Sequence, residues 1–280
     1  MADFDAAAQF ERALAVGAGV ARDHVAEVGD LRRFGEIAAE VDAGEVKVLF
    51  IGAADEITHD GNRAVGERGY LCDTSGMQLV DPGDGRMRCA WSVSAPDYIA
   101  YHDAEWGVPV AGDRAYFERL TFEAFQSGLS WLIIMRKRPA FRAAFADFDP
   151  EIVATFSDAD LARLMADERI VRNRRKIEAT ITNARALCRL RDAEGDGALH
   201  DLIARHRPTE AELEAEGFRR PPRSLSDLPT QTNASRALAK ALKRHGFVFV
   251  GPTTLYAGMQ ANGLVDDHLV GCFRRGPSPA

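Results

Sequence analysis

From Asp113 to Gly263 the chain is a run of helical segments, each punctuated at its ends, and that pattern restricts the fold more than any other feature. "DRAYFERLTFEAFQ" places Tyr116, Leu120 and Ala124 on one stripe with Phe117 beside it, the 3.6-residue period of a helix with one buried face. Gly128 suits the left-handed position that ends this helix, and Ser130 can cap the next, "WLIIMRKRPAFRAAF". "SDADLARLMAD" opens with a serine cap and an acidic first turn, and "RRKIEATITNARALCRL" follows after a short break. "NASRALAKALKRHG" closes on basic residues and Gly246, as the helix dipole prefers. "GPTTLYAGMQANG" has Pro252 near its first helical position and Gly263 past its end. "EAEGFRRPPRSLSDLP" reads as loop. Helices joined by short connections around one core predict a mainly α domain.

What precedes Arg88 reads differently. Residues 5–28 are Ala-rich with apolar residues at roughly helical spacing, "EVKVLFIGA" at 45–53 reads as a buried strand, and "GYLCD" and "MQLVD" are weak strand signals. "DPGDGR" at 81–86 is turn and linker chemistry. These signals predict an extension over 1–87, small α/β or partly disordered, a main domain over 88–275, and a disordered tail at 276–280. Charge follows the same division. Of 42 acidic and 35 basic residues, 17 and 8 fall in residues 1–87, which leaves 25 and 27 for the rest. The net charge of −7 therefore hides a slightly basic main body, and affinity for a polyanion depends on such local balance. Four scattered cysteines are too few for a disulfide scaffold and suit a reducing cytoplasm. The start shows no secretory signal, and runs such as "WLIIM" fall far short of a membrane span. The expectation is a cytoplasmic protein with no membrane contact.

Three constellations carry chemistry. Cys89 and His102 lie near the start of the helical domain, and "HLVGC" puts His268 and Cys272 four apart near its end. Two Cys and two His can make a closed tetrahedral zinc set, structural because it leaves no position for water. Spacing alone leaves two buried thiols and two ordinary histidines equally open. The second is an aromatic cluster, Trp91, Tyr98, Tyr101, Trp106 and Trp131, in the opening loop region and just after a helix end. With it goes Glu123, mid-helix among apolar neighbours. Core aromatics plus a solvated glutamate would explain these residues. An aromatic box with one carboxylate would also explain them, and would suit a flat cationic ring that stacks and donates hydrogen bonds. The third is "ADERIVRNRRKIEA", a tight hairpin with Arg169, Arg172, Asn173, Arg174, Arg175 and Lys176 at a helix start. This could be an anion site for phosphates or merely a solvated basic face.

Together these residues match one family. Through "RCAW", "YIAYHDAEWGVP", "FEAFQSGLSW", "RKRPAFRAAFADFDP", "RNRRKIEATITNARA" and "KRHGFVFVGPTTLYAGMQANGLVDDHLVGC", about two-thirds of the chain resembles bacterial DNA-3-methyladenine glycosylases of the constitutive type I kind. The resemblance implies a helix–hairpin–helix DNA glycosylase domain with a zinc-binding end, one structural Zn2+ on Cys89, His102, His268 and Cys272, and a base pocket on Trp91, Tyr98, Tyr101, Trp106, Glu123 and Trp131. Glu123 and Tyr101 are the expected catalytic residues, and Arg172, Asn173, Arg174 and Lys176 the expected DNA contacts. The implied partner is double-stranded alkylated DNA, engaged by a monomer that flips out and hydrolytically releases 3-methyladenine. Two departures stand out: 88 residues precede the cysteine with which the resemblance begins, and Arg169 stands where the hairpin usually carries a glycine able to adopt positive φ. Related helix–hairpin–helix glycosylases use an aspartate after the hairpin; none stands out here, in keeping with the type I pattern. The rival readings are a zinc-stabilised DNA-binding module without catalysis, for which the pocket residues are superfluous, and a nucleoside hydrolase, for which the basic hairpin is.

Overall fold

The computed structural model describes residues 39–42, 45–48 and 79–276. The helix expected at 5–28, the strand signal at "GYLCD" and the tail at 277–280 lie outside the described residues. Strand β1 (Ala39–Asp42) pairs antiparallel with β2 (Glu45–Val48), with Val41 opposite Val46. This pair belongs to one compact unit and residues 79–276 to a second, and each is described by itself.

The second unit opens with a two-stranded ladder, β3 (Leu79–Val80) against β4 (Arg88–Cys89), pairing Leu79 with Cys89 and Val80 with Arg88. The "DPGDGR" stretch is the turn between them: the Asp81 carboxylate accepts from the backbone N–H groups of Gly83, Asp84 and Gly85 at 2.8, 3.0 and 3.1 Å. It is a hairpin inside this unit, so the boundary expected at Arg88 falls within a β-ladder. Two-residue strands carry no periodicity that a sequence could reveal.

The aromatic window expected as loop is instead helical: a 3₁₀ turn at Ala90–Val93, then helix α1 (Pro96–Ala104) with Pro96 at its first turn. Its sequence hides the helix because its exposed and buried sides are both mixed in polarity. The other expected helices follow as α2 (Asp113–Gln126), α3 (Trp131–Ala144), α5 (Asp158–Ala166), α6 (Arg174–Glu194), α9 (Asn233–Arg244) and α10 (Pro252–Ala261). Short helices α4 (Pro150–Ala154), α7 (Ala198–Ala204) and α8 (Glu210–Ala215) complete the set. The start of the "EAEGFRRPPRSLSDLP" loop is thus the last turn of α8, and a 3₁₀ turn occupies Leu225–Asp227. Ser130 caps α3 by accepting from the Leu132 N–H at 3.3 Å, and Gly128 adopts φ +78° between α2 and α3.

Phe122 and Phe125 of α2 meet Phe141 of α3 edge to face, with centroids 5.9 and 4.7 Å apart, each pair stabilising by about 0.5–1.5 kcal/mol beyond burial. Helix α6, roughly 30 Å long, runs through the middle and buries Ile177, Ala184, Ala186 and Leu187. The unit's two ends meet: the Leu269 N–H lies 3.4 Å from Cys89 Sγ, and the Phe273 N–H donates to Met87 O at 2.9 Å. A separate close approach, of the turn after α10 to the segment after α1, needs a glycine at 263 (φ +65°), where a Cβ would stand 2.5 Å from the Gly107 carbonyl oxygen.

Candidate active site and metal centre

The four expected metal ligands come together. Cys89 from β4, His102 from α1, and His268 and Cys272 from the loop after α10 are all buried, with their ligand atoms within 4.8 Å of one another. Cys272 Sγ lies 3.4 Å from His102 Nε2 and 3.6 Å from His268 Nδ1. A tetrahedral ion with ordinary zinc–sulfur and zinc–nitrogen bonds sets sulfur and nitrogen about 3.5 Å apart, so the donor set and its size fit. The free His102 nitrogen, Nδ1, lies 2.9 Å from Asp103 Oδ1, the carboxylate–histidine pairing that orients metal-bound imidazoles. Asp103 is held by Arg88, through Nε at 2.9 Å and Nη2 at 2.7 Å, and Arg88 also grips both Asp84 oxygens at 2.7 Å. That grip holds the Asp84 carboxyl down at about 2. The mutual hydrogen bond of the two thiols, then burial, pushes Cys89 up, while the same bond pulls Cys272 down. One proton between two sulfurs is what a buried pair keeps until a cation displaces it.

The aromatic residues also converge, and they touch the metal ligands. Trp106 meets His268 edge to face at 4.6 Å and stacks against His102 at 6.2 Å. Trp91 packs on His102 at 5.4 Å, on Trp106 at 5.1 Å and on Tyr98 at 6.1 Å. The window therefore has two uses: its ligands fix the imidazoles, and the imidazoles buttress the indoles. Tyr98 joins α1 to α3, its hydroxyl oxygen accepting from the Leu132 N–H at 3.1 Å. Tyr101 lies against Trp131 at 5.4 Å. The Trp131 indole N–H is buried and has no partner among the described residues, which leaves it a donor for a water or an incoming ligand.

Glu123 is 6% exposed, so it is not the solvated glutamate that its helix position alone leaves open. Helix α10 covers it: a Cβ at Gly258 would reach within 3.8 Å of its Cγ. Burial pushes its pKa up to about 7, opposed by the Arg119 guanidinium one turn back on α2. Burial, and then the Glu123 charge, also raises the Tyr101 phenol, which stays protonated at neutral pH. Beside them Glu105 accepts from Arg138 Nη2 at 2.8 Å and Arg119 Nη2 at 3.5 Å, and this pairing lowers the Glu105 carboxyl. The sequence reading passed over Arg119 and Arg138. The available signal was spacing, since Arg119 precedes Glu123 by one helical turn.

The hairpin corrects one assignment. Arg172, Arg174 and Arg175 are exposed at the α6 N-terminus, and Arg172 and Arg174 pair only with surface glutamates, Glu168 at 3.7 Å and Glu178 at 3.3 Å. Asn173 caps the helix, its side-chain oxygen accepting from the Lys176 N–H at 3.2 Å. Lys176, expected to face phosphates, points inward. It is 7% exposed, and its ammonium donates to the carbonyls of Phe125 at 2.8 Å and Ser127 at 2.6 Å, closing the C-terminal end of α2. Those carbonyls are orphaned by helix termination and attract a cation, and burial lowers the lysine's pKa. Arg169 is absent from the residues with positive φ and pairs with Asp167 at 2.9 Å, so this turn does not need the glycine. Lys176→Met is therefore expected to lower stability by roughly 1–3 kcal/mol, the cost of orphaning buried acceptors, and to keep the wild-type salt dependence of DNA binding. Arg172→Gln with Arg174→Gln is expected to flatten that dependence by about 2 in log–log slope with little change in stability. Urea unfolding and salt-titrated binding separate the two; a flattened slope in Lys176→Met would put that lysine back on the phosphate surface.

Comparison with known proteins is consistent with this geometry. A family model described as methyladenine glycosylase matches residues 91–275. DNA-3-methyladenine glycosylase 1 of Escherichia coli (strain K12) is 44% identical over 187 residues, covering 66% of this chain and 95% of that protein. The DNA-3-methyladenine glycosylase of Haemophilus influenzae is 39% identical over 186 residues, covering 66% and 96%. A solved structure of 3-methyladenine DNA glycosylase I from Staphylococcus aureus, described as showing the structural basis of 3-methyladenine recognition, superposes with a TM-score of 0.61 at 33% identity, over 69% of this chain and 98% of the other.

Proposed function

The chain belongs to the methyladenine glycosylase family, and on that premise we propose that it is a DNA base-excision glycosylase that releases 3-methyladenine from alkylated duplex DNA. The observation that carries the reading is Glu123: a buried carboxylate, pushed up to about 7 by that burial, whose charge acts on the Tyr101 phenol, which in turn lies against Trp131. A stacked base cannot reach these residues, so the nucleotide is flipped out at a cost of a few kcal/mol. Trp131 and Tyr101 offer faces for the cationic ring, worth about 1–3 kcal/mol per stacked base. The Glu123 carboxylate accepts from the exocyclic amine edge and complements the positive charge, which unmodified adenine lacks. Water then bonds to the sugar's anomeric carbon as the bond to the purine nitrogen breaks. The bonding pair neutralises the departing base, and the water's proton leaves to solvent. Expulsion of a neutral purine from a cation is what makes recognition so large a part of catalysis here.

Cys89, His102, His268 and Cys272 are the residues that would hold the metal, and two thiolates with two imidazoles suit zinc. As a closed four-ligand set it would supply structural order and no reaction step. Exposed Arg172 and Arg174, with the backbone at the start of α6, are the phosphate contacts of the hairpin. A monomer acting in the cytoplasm fits this reading, and among the described residues no helix is long and apolar enough to cross a membrane. The test is incubation of the purified full chain with alkylated duplex, followed by chromatography of the released bases. Free 3-methyladenine is the expected product. Tight duplex binding with no released base would favour the non-catalytic DNA-binding module instead.

A further inference from the structure

Four charges act on the Tyr101 phenol: Glu123 and Arg119 from α2, Glu105 just past the end of α1, and Arg138 from α3. They sum to zero when both carboxylates are ionised, but they are not paired evenly. Arg138 takes Glu105 in a fork, Nη1 donating to Oε2 and Nη2 to Oε1 at 2.8 Å, the geometry that satisfies both partners. Arg119 reaches Glu105 only through Nη2 at 3.5 Å, a long contact to a carboxylate that is already matched. Its Nη1 is buried and has no partner among the described residues. Arg119 therefore carries a surplus positive charge, with its side chain only 16% exposed. A charge so placed is costly unless an opposite one answers it.

Glu123 is the carboxylate left to answer it. It follows Arg119 by four residues on α2, so the two side chains leave the helix on one face. Helix α10 covers Glu123 at Gly258 and brings no charged residue; its Tyr256 hydroxyl donates to Asp267 at 2.6 Å. From α1 the group in play is the Tyr101 phenol, and from α3 it is Arg138, whose guanidinium lies 6.0 Å from the Tyr101 ring centre and is matched by Glu105. The Lys176 ammonium of α6 is bound to the carbonyls at the end of α2, and α7 meets α2 at Tyr116, against His200, two turns before Glu123. Among the described residues the Glu123 carboxylate accepts no hydrogen bond; burial raises it, and Arg119 is the group that opposes the rise. We infer that Arg119 is a positioning residue for base release: tethered by Glu105, which Arg138 holds in turn, its guanidinium supplies the positive charge against which the Glu123 carboxylate stays ionised inside the pocket. The inference rests on the glycosylase reading for what that carboxylate does, and adds the residue that readies it. It also accounts for an arginine beside a site that takes a cation. Without Arg119 the carboxyl keeps its proton and cannot complement the base, so the arginine acts through Glu123 and not by touching the base.

Two readouts on the full chain test this. In the free protein, NMR of glutamate-labelled chain follows the Glu123 carboxyl carbon across pH, with Glu123→Gln identifying its signal. Arg119→Met is expected to raise the Glu123 midpoint by about one pH unit, and Arg119→Lys, which keeps the charge, to return it to the wild-type value. In excision from 3-methyladenine DNA, the rise of kcat/KM with pH is expected to move up by the same amount in Arg119→Met. That variant should be about fivefold slower than wild type at pH 7 and less than about twofold slower at pH 9. An arginine that serves packing alone predicts an equal loss at every pH and an unmoved midpoint, and that result overturns the inference. A moved NMR midpoint with an unmoved excision profile overturns it as well. If Arg119→Met does not fold, Arg119→Gln, neutral and long enough to keep the Glu105 contact, carries the same expectations. A wild type that releases no base sinks the glycosylase reading alone, and the NMR midpoints then decide the role of Arg119 by themselves.

Discussion

His268→Ala combined with Cys272→Ser is expected to abolish stoichiometric metal binding, where the wild type should carry about one zinc per chain by elemental analysis. The loss reaches further than the ion. A bound metal at 1,000 times its dissociation constant stabilises the fold by about 4 kcal/mol, so the double variant should unfold about 10 °C lower than wild type. Because Trp106 and Trp91 pack directly on the His102 and His268 imidazoles, tryptophan fluorescence should change with metal removal by a chelator and return when zinc is restored. Full zinc content in the double variant would show that these residues are ordinary buried thiols and histidines.

Glu123→Gln is expected to lower kcat/KM for 3-methyladenine DNA by roughly 10–100-fold, the 1–3 kcal/mol of a hydrogen bond to a charged group, with metal content intact. The variant keeps the shape, removes the charge and turns half of the contact into a donor. The pH profile separates recognition from mere packing. With a pKa of about 7, the wild-type kcat/KM should rise as pH passes through neutrality and the carboxylate forms, and the Gln variant should lack that rise. Stability should move the other way. The folded carboxyl holds its proton more tightly than the unfolded one, whose ordinary value is 4.5. The stability it lends is complete below that value and is lost as pH rises through 7, by roughly 3 kcal/mol in all. Glu123→Gln has no such proton, so relative to wild type it should gain stability from about pH 5 to pH 8. Equal excision rates, or parallel stability profiles, would remove Glu123 from the site.

The long helices were legible because their signals are local. Ser130 accepts from the Leu132 N–H two residues on, and Gly128 and Gly263 take the positive φ that their positions suggest. The metal cluster was legible only in part, because "HLVGC" shows a pair but nothing local joins it to Cys89, 179 residues before His268; the resemblance supplied that link. Lys176 was misread for the complementary reason. A lysine among arginines at a helix start reads as solvated, and the carbonyls that bury it belong to the end of α2, brought there by tertiary packing alone. Helix α1 reads as loop because it buries little beyond Tyr101 and His102, one toward the tryptophans and one toward the Cys/His cluster, and shows no single apolar stripe. A helix with only two buried side chains lacks the periodicity by which helices are found.

The meeting of Leu269 with Cys89, 180 residues apart, has a consequence for synthesis. At ordinary elongation rates of about 5–20 residues per second, the nascent chain waits roughly 10–40 s between the emergence of the first ligand and the last. Through that interval Cys89 and His102 would offer a metal only half a site, and the Trp91 and Trp106 indoles have no imidazole pair behind them. A four-ligand metal site would therefore be complete only near the end of translation. A ribosome that stops before residue 268 leaves a largely helical product without His268 and Cys272, half of the Cys/His cluster and one of the imidazoles on which Trp106 packs.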